Sequence, residues 1–147
     1  MGPKRIIIWV EDDEDDRILF KEAVEDLKIP VQLKLFGLGK DLLAYIDTTE
    51  DPLPELLFLD LNMPEISGLE VLKKLKEHPK WSKIPVAICS TSSRESDMQK
   101  TFLMGANIYF TKPNSFRVLQ AAIKRILVTN YQHHTSNLQW ENFILNL

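Results

Sequence analysis

The sequence predicts an α/β domain: a three-layer sandwich in which one five-stranded parallel sheet, strand order 2-1-3-4-5, lies between helices on both faces. Three observations predict it. Short apolar runs alternate with longer segments of helical spacing five times over. Three of those runs are almost continuously apolar, as strands covered on both faces must be, while two are mixed or short and suit the edges. The chain has 147 residues, enough for one well-buried core and about the size of one domain.

The elements follow in order. "RIIIWV" (5–10), "ELLFLD" (55–60) and "IPVAIC" (84–89) are the apolar runs and become the central strands. "VQLKLF" (31–36) alternates Val31, Leu33 and Leu35 with Gln32 and Lys34, and "NIYF" (107–110) is short, so these two are placed at the edges. Between strands, Ile18, Leu19, Ala23, Val24 and Leu27 keep helical spacing, as do Leu69, Leu72 and Leu75. Val118, Leu119, Ala122, Ile123, Ile126 and Leu127 do the same near the end of the pattern. Right-handed crossovers then build the parallel sheet. The layered domain occupies residues 1–128. The tail 129–147 reads as a short amphipathic helix, with Trp140, Phe143, Ile144 and Leu147 on one stripe and Ser136 with Gln139 as a capping box. Two partners for that stripe stay open: the chain's own domain or a second subunit.

Composition excludes several classes. Eighteen basic against 21 acidic side chains leave a net charge of -3, which offers no positive field for nucleic acid or an anionic membrane. The single cysteine, Cys89, lies in an apolar run and reads as a buried structural thiol in a reducing compartment. No apolar run approaches the roughly 18 residues of a membrane span, so a soluble, cytoplasmic protein is expected. "GLGK" (37–40) lacks the spacing of a phosphate loop and reads as a turn before a helix. His133 and His134 adjoin each other without companion ligands and do not make a zinc site.

Ligands of open parallel sheets bind outside the carboxyl ends of the strands. There the first strand is followed by Glu11 and Asp12, the third ends on Asp60, the fourth is followed by Ser90 and Thr91, and the fifth by Thr111, Lys112 and Pro113. Three carboxylates in one crevice repel one another and call for a cation. Mg2+ (or Mn2+) takes oxygen ligands and keeps several waters, so Asp12, Asp60 and the backbone carbonyl of Asn62, with Glu11 acting through water, form a suitable shell. With that charge neutralised, the Asp60 carboxylate can attack phosphorus and become an acyl phosphate. Lys112 would pair with one phosphoryl oxygen and Ser90 would donate to another.

Four motifs in fixed order, "WVEDDEDDR", "LFLDLNMPEISG", "IPVAICSTS" and "YFTKP", resemble those of bacterial response-regulator receiver domains of the CheY-like type, over residues 5 to about 128. The resemblance implies a two-component phosphorelay protein with Asp60 as phosphoacceptor, Glu11 and Asp12 as the acidic pair and Asn62 as the carbonyl ligand. It also implies Ser90 as switch hydroxyl, Lys112 as the lysine and a cis peptide before Pro113. Tyr109 falls where the family carries an aromatic that turns inward as the hydroxyl residue moves, and Thr91 lies beside the route of water to the phosphoryl group. Arg17 stands five residues after Asp12, as the family pattern requires. Asp13 is either a third site acid or a helix N-cap, and Glu14, Asp15 and Asp16 fall in the first helical turn, where negative charge is favoured.

Partners implied are a sensor histidine kinase or histidine phosphotransfer protein and a downstream protein target. The tail and the "STS" are similar to those of single-domain regulators that serve bacterial phytochromes, which brings a homodimer and a photoreceptor-type kinase into view. Only 19 residues follow residue 128, so output is expected through the receiver itself. Turnover of external phosphate esters is not expected, because Asn62 stands where an aspartate-nucleophile phosphatase has its general acid. Acids after the first strand would likewise repel a flavin phosphate. A phosphate-independent interaction module is the alternative reading.

Overall fold

The computed structural model describes residues 5–129 and 140–147. Five strands, β1 (Arg5–Val10), β2 (Val31–Phe36), β3 (Leu56–Leu59), β4 (Val86–Ser90) and β5 (Ile108–Thr111), pair in parallel in the order β2-β1-β3-β4-β5. The predicted order and the edge positions of β2 and β5 are those observed. Helices α1 (Glu14–Asp26) and α5 (Phe116–Val128) cover one face. Helices α2 (Gly39–Thr48), α3 (Gly68–Glu77) and α4 (Glu95–Leu103) cover the other, with a 3-10 turn at Trp81–Lys83. Each face therefore has its own apolar core. β1, β3 and β4 are shared between the two, which is why their sequences are apolar at successive positions rather than at alternate ones. Cys89 is fully buried within β4, as expected of a structural thiol. Among the described residues no helix is long and apolar enough to cross a membrane.

Strand ends differ by a residue or two from the sequence reading, and the shifts matter for the site. β3 stops at Leu59, so Asp60 is the first residue beyond it. β4 runs to Ser90 and β5 to Thr111, because the ladder continues through a bond from the Lys112 N–H to the Ser90 carbonyl at 2.7 Å.

Two predicted apolar faces are corrected. In α1 the buried residues are Phe20, Ala23 and Val24, whereas Ile18 and Leu19 are 50% and 41% exposed. Phe20 turns the helix, stacking at 3.9 Å on Trp9, which also stacks at 4.0 Å on Phe58. Stacked aromatic contact of this kind adds about 0.5–1.5 kcal/mol to what Phe20 gains by burial, and with Phe20, Ala23 and Val24 facing the sheet, Ile18 and Leu19 fall on the solvent side.

The tail is the second correction. Within the described residues its helix covers Trp140–Phe143, after which the chain extends: Ile144 forms a parallel bridge with Tyr109, and the Leu145 N–H donates to the Tyr109 carbonyl at 2.9 Å. Leu145, rather than Leu147, is buried, because an edge strand presents unpaired backbone groups that an extended segment can satisfy and a helix cannot. Within the chain, Phe143 of that stripe packs on its own domain. His133, His134 and the capping pair Ser136 and Gln139 lie outside the described residues.

Candidate phosphoacceptor site

Backbone hydrogen bonds bring the acids together. The Glu11 N–H donates to the Phe36 carbonyl at 3.0 Å and the Asp60 N–H to the Val10 carbonyl at 3.1 Å, so both acids continue the strand ladder by one residue and then leave it. The turn carrying Glu11 and Asp12 is pinned from the side: the Arg17 guanidinium donates to the carbonyls of Glu11 at 2.7 Å and Asp12 at 2.9 Å. Asp13 is the N-cap of α1, accepting from the Asp16 N–H at 2.9 Å, which resolves the choice left by the sequence.

On the other side, Gly68 opens α3 directly against the end of β3. A Cβ there would stand 2.1 Å from the Asp60 carbonyl oxygen and 2.7 Å from the Leu61 Cα, so only glycine permits this approach. Gly68 was not singled out from sequence. "ISG" contains the signal, since a glycine directly after a helix N-cap serine holds a position where close backbone packing is the usual reason to forgo a side chain.

One carboxylate oxygen from each of Glu11, Asp12 and Asp60 falls within a set whose members lie no more than 4.8 Å apart. Glu11 and Asp60 are buried and Asp12 is exposed, so the cluster opens to solvent on one side. Lys112 reaches in from the end of β5, its Nζ 2.5 Å from Glu11 Oε2, 3.1 Å from Asp16 Oδ2 and 3.7 Å from Asp60 Oδ2. Asp16 is thus more than a helix-end acid. Read from sequence only as dipole compensation, it also holds the lysine, a role that needs a contact across 96 positions and leaves no local signal.

The charges do not balance. Burial pushes the Glu11 carboxyl up to about 7, with the Lys112 hydrogen bond opposing and the Asp60 charge adding to the rise. Burial likewise raises Asp60, against the pull of Lys112 and of the Asn62 backbone N–H beside it. For Lys112, burial alone would lower the pKa, yet the Glu11 hydrogen bond and the Asp60 charge outweigh it and hold the ammonium above the ordinary lysine value. One ammonium is too little cation for these carboxylates. Arg17 does not help, because both of its bonds go to backbone carbonyls. Hard oxygen donors around a deficit of positive charge are what a small divalent cation takes, so the residues present fit one.

The remaining residues divide. Ser90 is fully buried at the end of β4, and its Oγ accepts from the Ser92 N–H at 3.1 Å, whereas Thr91 is exposed on the turn. Tyr109 is turned inward and fully buried, its hydroxyl donating to the Ser92 carbonyl at 2.7 Å, and burial raises its pKa. No cis peptide occurs among the described residues, so the bond before Pro113 is trans, contrary to the resemblance. Trans is the lower state for X–Pro by about 0.5–1 kcal/mol, and Lys112 makes all three of its contacts from it.

Set beside known proteins, residues 7–124 match the family model for the response regulator receiver domain. The chain belongs to that family. This receiver domain is 30% identical over 129 residues to the response regulator Rcp1 of Synechocystis sp., a match covering 85% of this chain and 88% of that protein. Among solved structures it is similar to the phosphorylated cyanobacterial phytochrome response regulator RcpA, with a TM-score of 0.78 at 31% identity, covering 84% of this chain and 91% of that one. The Mn(2+)-bound form of Rcp1 is similar as well, with a TM-score of 0.76 at 31% identity and the same coverage. The receiver is accordingly a domain of two-component response regulators, and its sheet order is that of its relatives.

Proposed function

We propose that this receiver works in the cytoplasm, taking a phosphoryl group from a histidine kinase or histidine phosphotransfer protein onto Asp60 and signalling through its protein-interaction surface. The observation that carries this reading is the meeting of carboxylate oxygens of Glu11, Asp12 and Asp60 within 4.8 Å of one another, with the Lys112 ammonium 3.7 Å from Asp60. Asp12, Asp60 and the Asn62 carbonyl, with Glu11 in support, would hold Mg2+ or Mn2+. Bound there, the ion would neutralise the charge of the incoming phosphoryl group.

The chain's own groups do the rest. An Asp60 carboxylate oxygen forms the bond to phosphorus as the bond from phosphorus to the donor histidine nitrogen breaks, and that imidazole leaves with the electron pair. Lys112, already poised between Glu11 and Asp60, pairs with a phosphoryl oxygen, and the Ser90 hydroxyl donates to another. Exposed Thr91 stands where water would approach, so it bears on the lifetime of the acyl phosphate. Relatives described as phytochrome response regulators favour a photoreceptor-type kinase as donor.

The test is incubation with acetyl phosphate and Mg2+, read by mass spectrometry. Expected is one phosphoryl adduct on the peptide containing Asp60, lost with EDTA and absent in Asp60→Asn. A folded wild-type protein that takes no adduct would leave only a phosphate-independent interaction module.

A further inference from the structure

A cavity of about 880 Å³, within the size range of small-molecule sites, lies at the opposite end of the sheet from Asp60. Glu55, Ile84 and Asn107, which stand within two residues ahead of β3, β4 and β5, line it. Topology does not call for a ligand there, since open parallel sheets bind theirs at the carboxyl ends of the strands. The charge around it does. Lys76 in the last turn of α3, and Lys80 and Lys83 at the 3-10 turn that follows, all line the cavity. They belong to a run, "KKLKEHPKWSK" (73–83), that sets five lysines against one glutamate in a chain whose net charge is -3. Compensation of the helix dipole accounts for lysines in the last turn of α3, but Lys80 and Lys83 come after that helix has ended. None of the three has an ion-pair partner among the described residues, and the one carboxylate of the lining, Glu55, is taken by Arg5.

The walls are held in place. Trp81 is buried, and His78 Nδ1 accepts from the Lys80 and Trp81 N–H groups at 3.0 and 3.2 Å, which anchors the turn that carries Lys80 and Lys83. Lys76 is half-buried and lies across Gly105, where φ is +95° and a Cβ would stand 3.2 Å from the lysine Cε. Its Nζ donates to the Ser82 carbonyl at 3.2 Å, one bond of the three an ammonium can make. Burial lowers its pKa, as it must for a half-buried cation with no anion beside it. Asn107 is only 5% exposed, and its Oδ1 accepts from the Val86 N–H at 3.0 Å. That bond fixes the amide's orientation and leaves its NH2 without an acceptor among the described residues. Leu53, Pro54 and Ile84 supply an apolar wall.

We propose that this cavity binds a small organic phosphate of the nucleotide class. Its phosphates pair with the ammonium groups of Lys76, Lys80 and Lys83, its ring lies against Leu53, Pro54 and Ile84, and the Asn107 NH2 donates to a ring acceptor. Size decides against a bare inorganic anion, which would leave the apolar wall and most of the cavity unfilled. Three lysines suit the task, because each meets a phosphate oxygen as a point charge. The site goes beyond the phosphoacceptor reading and does not rest on it, since the two share no residue.

ADP is the probe, titrated into the full-length chain in metal-free buffer and followed by amide NMR shifts. Saturable shifts at millimolar or lower ADP are expected, centred on Ser82, Gly105 and Asn107, with the amides of Asp60 and Asn62 unmoved. Adenosine, which has no phosphate, and inorganic phosphate, which has no ring, should each bind about tenfold more weakly or worse. Lys80→Ala combined with Lys83→Ala alters two exposed side chains and should weaken ADP by about the same factor while leaving the urea midpoint in place. No saturable shift at millimolar ADP, shifts centred on the acidic crevice, adenosine or phosphate binding as tightly as ADP, or undiminished affinity in the double variant overturns the proposal.

Discussion

At the carboxyl ends of β1 and β3, Glu11 and Asp60 are buried around one ammonium, whereas along the outer side of β5 Phe143 and Leu145 are buried against aromatic and aliphatic side chains. Both places finish the same sheet, but they relate to ligands in opposite ways. In the first, folding gathers charge that water would otherwise solvate, and a cation would relieve it. In the second, folding satisfies the surface with a piece of the chain, since Ile144 bridges Tyr109 and the Leu145 N–H bonds its carbonyl. The first region would gain stability from a cation, whereas the second is already satisfied by the chain itself.

The sharpest way to break the first region is at its glycine. Gly68→Ala places a Cβ on the Asp60 carbonyl, and backbone has to move to admit it. Denaturant unfolding is expected to show a loss of about 3 kcal/mol or more, with Mg2+ affinity falling too because Asp60 moves. A variant that unfolds at the wild-type midpoint would mean that the approach of α3 to β3 is not what sets Asp60.

Next comes pH. The folded pKa of Glu11, about 7, lies above its ordinary 4.5, so the folded state binds the proton more tightly than the unfolded chain does. Metal-free stability from this group is therefore greatest below pH 4.5 and falls as pH rises to about 7, by up to roughly 3 kcal/mol. Urea midpoints in EDTA at stepped pH measure it. Glu11→Gln should flatten the slope across that window, while the tail contact, whose buried anchors do not titrate, should not alter it.

A smaller effect separates the two regions. Asp60→Asn removes one member of the repelling set and is expected to raise metal-free stability near pH 7.5 by about 1 kcal/mol, since burial already disfavours the charge. Exchange of the Leu145 amide, followed in the same sample, should be unchanged. A destabilised Asp60→Asn protein would mean that the ion pair with Lys112, rather than repulsion, dominates the crevice.

How much of this was legible in the sequence follows the same division. The parallel sheet was legible because β1, β3 and β4 are apolar at successive positions, and the acid crevice because Asp12, Asp60 and Lys112 each stand within two residues of a strand's end. Both signals are local. What escaped depends on contacts between distant segments: Asp16 gains its role only when β5 delivers Lys112, and Phe20 turns α1 only when Trp9 lies beneath it. The tail kept helical spacing through Ile144 and Leu147, yet an open strand edge overrode it after Phe143. Periodicity in eight residues cannot anticipate that edge. The expected cis bond before Pro113 came from resemblance alone, and no feature of the neighbouring sequence bore on it.

The central claim is that the crevice holds too much negative charge for its own lysine and is stabilised by a divalent cation. Thermal unfolding at pH 7.5 with increasing Mg2+, at ionic strength held constant with potassium chloride, tests it most directly. The midpoint should climb with Mg2+ and follow the logarithmic law of a ligand that binds the folded state, adding about 2.7 kcal/mol at a hundredfold excess over Kd. A midpoint that does not move between EDTA and millimolar Mg2+ would contradict it.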